Sequence, residues 1–214
     1  MRILVVAAHP DDETLGAGGM IARSVKAGTT VWCMAMTDGV GARGVTNAKE
    51  MRERLREWRG ALAVLGAESA GVLDYPDNQL DTVPMLKLAK RVEGVVEEIG
   101  PRLVITHSAG DLNVDHRLTA EAVKVACRPL PGRVIDILSM EIPSSTEWGT
   151  GFSPTCWVKI DMAVKRIAVG KYVSELREEP HPRSEQGVLD LASLRGKQCG
   201  FDYAEAFEVV RTIT

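Results

Sequence analysis

The sequence has no excess of positive charge: 26 Lys and Arg against 29 Asp and Glu leave a formal net charge of −3. A basic surface for nucleic acid phosphates or anionic membrane is therefore not expected, and a small-molecule partner is. No apolar run approaches the length of a membrane span. The segment Met1 to Val6 carries one cation, and its apolar run breaks at His9-Pro10-Asp11-Asp12, too early and too acidic for a signal peptide. A cytoplasmic protein is expected, with a membrane-borne substrate left open. Cys33, Cys127, Cys156 and Cys199 are far apart and form no CxxC pair. They fit a reducing compartment and exclude a thiolate metal site. Internal repeats, low-complexity tracts and linker-like shifts are missing as well, so the 214 residues read as one domain spanning 1–214.

What is there alternates. Short apolar runs bounded by Gly, Pro or Asp are followed by longer segments with apolar residues every three or four positions, the pattern of strands and crossover helices. The fold class expected is α/β with a mostly parallel sheet. Strands are predicted over Ile3–Ala8, Thr30–Met36, Val72–Tyr75, Leu103–Thr106, Val134–Glu141, Cys156–Ile160 and Phe207–Thr212. Helices are predicted over Glu13–Ala27, Asn47–Leu65, Val83–Ile99, His116–Cys127, Met162–Glu178 and Leu189–Gly200. Gly28, Gly66 and Gly100 each close a predicted helix. The loops Asp38–Thr46, Ser108–Asp115 and Ile142–Thr155 follow strands at the carboxyl edge, where open α/β sheets bind ligands.

Histidine is scarce, with four in the chain, and its placement is informative. The first strand ends in His9-Pro10-Asp11-Asp12-Glu13. An Asp capping the next helix explains one of these polar side chains and leaves the others without a role. A second cluster, His107-Ser108-Ala109-Gly110-Asp111-Leu112-Asn113-Val114-Asp115-His116, leads from the strand ending at Thr106 into another helix. Three of the four histidines fall in these two clusters. Hydrolytic Zn²⁺ takes three protein ligands from His and Asp or Glu and keeps one position open, and two His with one Asp fit that set.

His9-Pro10-Asp11-Asp12-Glu13 with the later Asp115-His116 resembles the LmbE-like or PIG-L family of zinc-dependent N-deacetylases, which remove acetyl groups from N-acetylglucosamine-type sugars. Arg54-Leu55-Arg56-Glu57 with Ala61 and Leu65-Gly66 looks like the family's Arg and Glu helix, and Asp74-Tyr75-Pro76-Asp77 like its next strand end. The resemblance covers most of the chain. It implies a Rossmann-like three-layer sandwich, a single catalytic domain, and Zn²⁺ or another divalent cation on His9, Asp12 and His116. It makes Asp11 the base. That division suits the chemistry, because a metal-bound carboxylate is partly neutralised while its neighbour can take a proton from water that the metal has acidified.

Further roles follow from the same resemblance. Asp115 is expected to orient His116 through its other ring nitrogen, with helix capping as its plain alternative. Many relatives carry His three positions before the second zinc histidine, and this chain has Asn113, which can donate a hydrogen bond but no proton. Asn113 is therefore read as stabilising the intermediate, and the acid as Asp11, His107 or His181. Arg54 is read as a contact to substrate hydroxyls or phosphate, against a solvated helix face; Trp148 either stacks on a sugar or covers core. The resemblance also leans toward an assembly of several copies.

Other readings compete. Gly16-Ala17-Gly18-Gly19 invites a dinucleotide-binding reading, but its glycines lie inside the helix rather than in the turn that would meet a pyrophosphate, and close packing on the sheet suits them better. A non-catalytic metal or sugar binder would not need the spare carboxylate of Asp11. Another N-acyl amide, on an antibiotic or a thiol conjugate, would suit the same site.

Overall fold

The computed structural model describes residues 1–43 and 48–213. Its strands are β1 (Arg2–Ala7), β2 (Thr30–Thr37), β3 (Glu68–Tyr75), β4 (Leu103–His107), β5 (Asp136–Met140), β6 (Cys156–Lys159) and β7 (Ala204–Arg211). The α-helices are α1 (Asp12–Lys26), α2 (Ala48–Leu65), α3 (Met85–Ile99), α4 (Val114–Ala126), α5 (Met162–Val169) and α6 (Glu185–Cys199). One sheet of order β3-β2-β1-β4-β5-β7-β6 results. β1 to β5 pair in parallel, and β7 runs antiparallel between β5 and β6.

The two faces of β1 show how the layers arise. Successive side chains on a strand point to opposite faces. Ile3, Val5 and Ala7 pack with Leu15, Trp58, Ala168 and Val188 from α1, α2, α5 and α6. Leu4 and Val6 pack with Leu88, Val92 and Val123 from α3 and α4. The result is an α/β three-layer sandwich with β1 at its centre, as expected from the sequence.

α1 lies close on the sheet because its glycines permit it. A Cβ on Gly16 would come within 2.8 Å of Met140, and one on Gly19 within 2.5 Å of Ile160. The Gly-rich run is thus a packing surface. Beside it, buried Glu205 of β7 accepts from Gly19 N (2.7 Å) and Met20 N (2.7 Å), while Lys165 Nζ donates to Glu205 Oε1 (2.7 Å) and Leu15 O (2.6 Å).

Several boundaries differ from expectation. β3 begins at Glu68 rather than Val72, and its first residues are exposed. It is an edge strand with one free side, so no apolar run marks its start. α4 begins two residues early, capped by Asn113, and α6 begins at Glu185, capped by Ser184. α5 stops at Val169, far short of Glu178; Gly170 closes it, and turns carry the chain onward to α6. The expected start of α2 at Asn47 and the end of the loop at Thr46 lie outside the described residues. Gly28, Gly66 and Gly100 all have positive φ after their helices. No helix among the described residues is long and apolar enough to cross a membrane.

Candidate active site

β1 and β4 are neighbours whose chains leave toward opposite sides of the sheet, β1 by way of α1 to β2 and β4 by way of α4 to β5. The crevice beyond their carboxyl ends is the switch point at which open α/β sheets bind ligands. His9 to Asp12 follow β1 there, and Ser108 to His116 follow β4.

The two segments bring His9, Asp12 and His116 together, with one potential ligand atom from each lying within 4.8 Å of the others. His9 Nδ1 is 3.1 Å and His116 Nε2 is 3.3 Å from Asp12 Oδ2. His116 Nε2 and the second oxygen, Asp12 Oδ1, are enclosed yet have no hydrogen-bond partner among the described residues. Buried polar atoms left in this way are rare, and a shared cation satisfies them. Charge points the same way. Four buried carboxylates, Asp12, Asp77, Asp111 and Asp115, surround the two imidazoles. The donor set therefore fits a divalent metal.

Each imidazole also has a backing carboxylate. Asp111 Oδ1 lies 3.1 Å from His116 Nδ1. Asp115 Oδ2 and Asp77 Oδ1 lie 3.3 and 3.2 Å from His9 Nε2. The expected pairing of Asp115 with His116 is thereby corrected. Adjacent residues on a helix point about 100° apart, so Asp115 cannot reach its own neighbour's ring. It turns to His9 and accepts from Asn78 N (2.7 Å) and Leu80 N (3.0 Å). Asp111 is fixed in turn by Thr146 Oγ1 (2.5 Å), Asn113 N (2.9 Å) and Ser145 Oγ.

Asp11 stands next to this group in the N-cap position of α1, with φ 122° and no capping bond from its side chain. Glu13 Oε2 accepts from Asp11 N instead (3.1 Å). Burial pushes the Asp11 carboxyl up to about 6, against the pull of Arg183 and Arg54 and with the help of Asp12. Asp11 lines a cavity of about 160 Å³ together with His9, Arg54, Asp77, Asn113 and Arg183. A buried carboxyl beside a metal-binding group, at the wall of a polar cavity, is suited to moving a proton.

Residues 4–127 match the family of GlcNAc-PI de-N-acetylases, PIG-L. The chain belongs to this family. It is 31% identical over 182 residues to the uncharacterized deacetylase YaiS of Escherichia coli K12, covering 80% of this chain and 90% of that one. It is 28% identical over 225 residues to the diacetylchitobiose deacetylase of Thermococcus kodakarensis, covering 98% of this chain and 83% of the relative. It is therefore an enzyme of the deacetylase class, a hydrolase of amides. The fold is shared more widely. GalB, the 4-carboxy-2-hydroxymuconate hydratase of Pseudomonas putida KT2440, superposes with a TM-score of 0.81 at 22% identity, covering 100% of this chain and 97% of that one. Shape alone does not fix the reaction, so the side chains must.

Within this PIG-L fold the remaining expected residues divide. Asn113 lines the cavity; its Oδ1 accepts from Asp115 N (2.8 Å) as the cap of α4, which leaves its side-chain NH₂ as the donor. Arg54 also lines the cavity. Its Nη1 donates to Pro10 O (3.2 Å), its Nε lies 3.6 Å from Glu57 Oε2, and its Nη2 pairs with Glu175. His107 is fully buried under the metal group, stacked on His116 at 4.0 Å, with Nε2 accepting from Ala8 N (2.8 Å). Burial, then its neighbour His116, pull the His107 pKa down to about 3. A neutral ring there shapes the floor and is not part of the cavity lining. His181 is also absent from that lining; its Nδ1 accepts from Arg183 N (3.0 Å). Trp148 is 71% exposed, so it does not cover core.

Sequence reasoning passed over Asp111, Glu13, Tyr172, Glu175 and Arg183. Asp111 had a visible signal, the alternation Asp111-x-Asn113-x-Asp115 ahead of His116. Glu13 was quoted as part of the motif without a role. It is buried, accepts from Tyr172 Oη (2.5 Å) and Thr14 Oγ1 (2.5 Å), and burial pushes its carboxyl up to about 7.

Proposed function

We propose that the protein is a zinc-dependent N-deacetylase acting on an N-acetylglucosamine-type sugar or glycoconjugate, working in the cytoplasm as one catalytic unit over residues 1–214. The observation that carries this reading is the meeting of His9, Asp12 and His116 within 4.8 Å, with His9 and Asp11 both lining one cavity. The deacetylase named for diacetylchitobiose among the relatives supports the sugar class. Two imidazoles and one carboxylate suit zinc, which when bound supplies Lewis acidity and lowers the pKa of its water to about 7.

The chain's own groups then divide the work. His9, Asp12 and His116 hold the ion, and Asp111 and Asp115 fix the two rings by their outer nitrogens. Asp11 is the carboxylate left over. It takes the proton from the attacking water at one of its oxygens and returns it to the amide nitrogen as acetate departs. Asn113 cannot supply that proton. Its NH₂ donates toward the acetamide oxygen as charge develops there, and this is its share of oxyanion stabilisation. Arg54, already bonded to Pro10 O, holds the cavity wall that faces the sugar hydroxyls.

Acetate release from free, nucleotide-linked and lipid-linked N-acetyl sugars, with and without chelator, tests the reading. Chelator-sensitive release from at least one of them is expected. Absence of release across the panel from zinc-loaded protein would overturn the sugar assignment, and undiminished release by Asp11→Asn would overturn the role of the base.

A further inference from the structure

The backbone strain of this molecule is concentrated around the cavity. Among the described residues, the non-glycine positions with positive φ are Asp11 (122°), Asn78 (56°) and Ser144 (69°). Such conformations are costly and persist where the surroundings over-determine them. Asn78 tolerates this region and lines the cavity. The other two are joined by a single side chain. Arg183 donates through Nε to Ser144 Oγ (2.8 Å) and Pro143 O (3.3 Å), and through Nη1 to Asp11 Oδ2 (3.4 Å).

Asp11 is held at three successive groups. Arg54 Nη1 grips the carbonyl before it, Pro10 O, at 3.2 Å. Glu13 Oε2 takes its amide at 3.1 Å. Both fix backbone and leave the carboxylate free to turn about its Cα–Cβ bond. Among the described residues the side-chain anchor is Arg183. A guanidinium suits this task because its fork holds the Pro143–Ser144 corner with one nitrogen while another reaches Asp11; a lysine ammonium offers one nitrogen for both.

We propose that Arg183 is a positioning residue for the proposed base: braced on the Pro143–Ser144 corner, it fixes the direction in which the Asp11 carboxylate faces the cavity. The proposal rests on the deacetylase mechanism given above. It makes the corner after β5 part of the catalytic framework although no residue of that corner need touch substrate. It also assigns a job to the loop after α5 in which His181, not Arg183, had drawn notice.

The test uses zinc-loaded full-length protein and the variants Arg183→Lys, Arg183→Ala and Ser144→Ala. Misplacing a reacting group by about 1 Å can cost about 100-fold in rate. Arg183→Ala is expected to lower kcat by about 10- to 100-fold with KM and metal content close to wild type. Added guanidinium should restore part of the loss, Arg183→Lys should resemble Arg183→Ala, and Ser144→Ala should lose less. A crystal structure of Arg183→Ala should show the Asp11 carboxylate turned from its wild-type direction with its backbone in place. An unmoved carboxylate overturns the proposal whether or not a substrate has been found. So does an unchanged kcat, a change confined to KM, or a loss matched by loss of zinc. Failure of wild-type protein to release acetate would count against the deacetylase reading alone, since the crystallographic arm decides the role of Arg183 independently.

Discussion

The two walls of the cavity are built by opposite means. One wall rests on the carboxyl end of β1 and β4, the centre of the sheet, where strand geometry sets the position of His9 in the lining and of Asp12, His107 and His116 behind it. The other is the run of turns from Gly170 to Ser184, which has no ladder to fix it. It is fixed instead by polar side chains: Tyr172 on Glu13, Ser174 on Glu57, Glu175 on Arg54 and Arg183 on Asp11. The first wall carries the residues proposed to hold the metal. The second anchors the proposed base through Arg183. Rigid strands suit a metal site, which tolerates little error in ligand position, while side-chain anchors allow a wall to change its substrate contacts without disturbing the sheet.

That contrast can be broken by substitution. The largest effect is expected from the metal wall: a chelator, or His116→Ala, should abolish acetate release, with added zinc restoring the wild type and not the variant, and bound zinc measured by elemental analysis. Next comes Asp11→Asn, expected to lower kcat by about 10²–10⁴-fold while zinc stays bound; parallel loss of zinc would move Asp11 into the ligand set. Asp111→Asn should weaken zinc binding by about 10- to 100-fold, as measured by competition with a chelating dye. For Glu175 and Tyr172 on the other wall, in contrast to Arg183, the losses should appear as stability. Glu175→Gln should lower unfolding free energy by about 1.5–3 kcal/mol, because buried Arg54 loses a charged partner, read from urea denaturation with zinc content unchanged. Tyr172→Phe should cost least, about 0.5–1.5 kcal/mol. Zinc loss in either of these last two variants would show that the walls are not independent.

The same contrast governs what could be read in the sequence. β1 and β4 are buried on both faces, so they spell continuous apolar runs, and the polar residues that end them stand out. His9, Asp11, Asp12 and His116 were legible for that reason. Helix α5 was not. The apolar spacing of Met162, Val169, Tyr172 and Leu176 continues past Gly170, and a helix to Glu178 fits it. Instead, Tyr172 reaches Glu13 and Glu175 reaches Arg54, contacts that pull the chain off the helical path and that no local pattern encodes. Asp111 and Asp115 show an intermediate case. Both lie in a stretch that was singled out, but assigning each to its histidine needed the angular offset of adjacent residues on α4. The cavity lining was least legible, since His107 and Arg183 exchange prominence once depth is known: the first lies beneath the site, the second lines the cavity.

The grip of Glu205 on α1 ties the antiparallel part of the sheet to the opening motif. β7 is remote in sequence from Asp12, yet Glu205 on it clasps the amides of Gly19 and Met20 midway along the helix whose first turn carries Asp12. Lys165 completes the clasp from α5. The helix is thus geared to the antiparallel part of the sheet. Movement of β7 would be felt along α1, so a substitution at Glu205 would act on the helix that positions Asp12 and not on β7 alone.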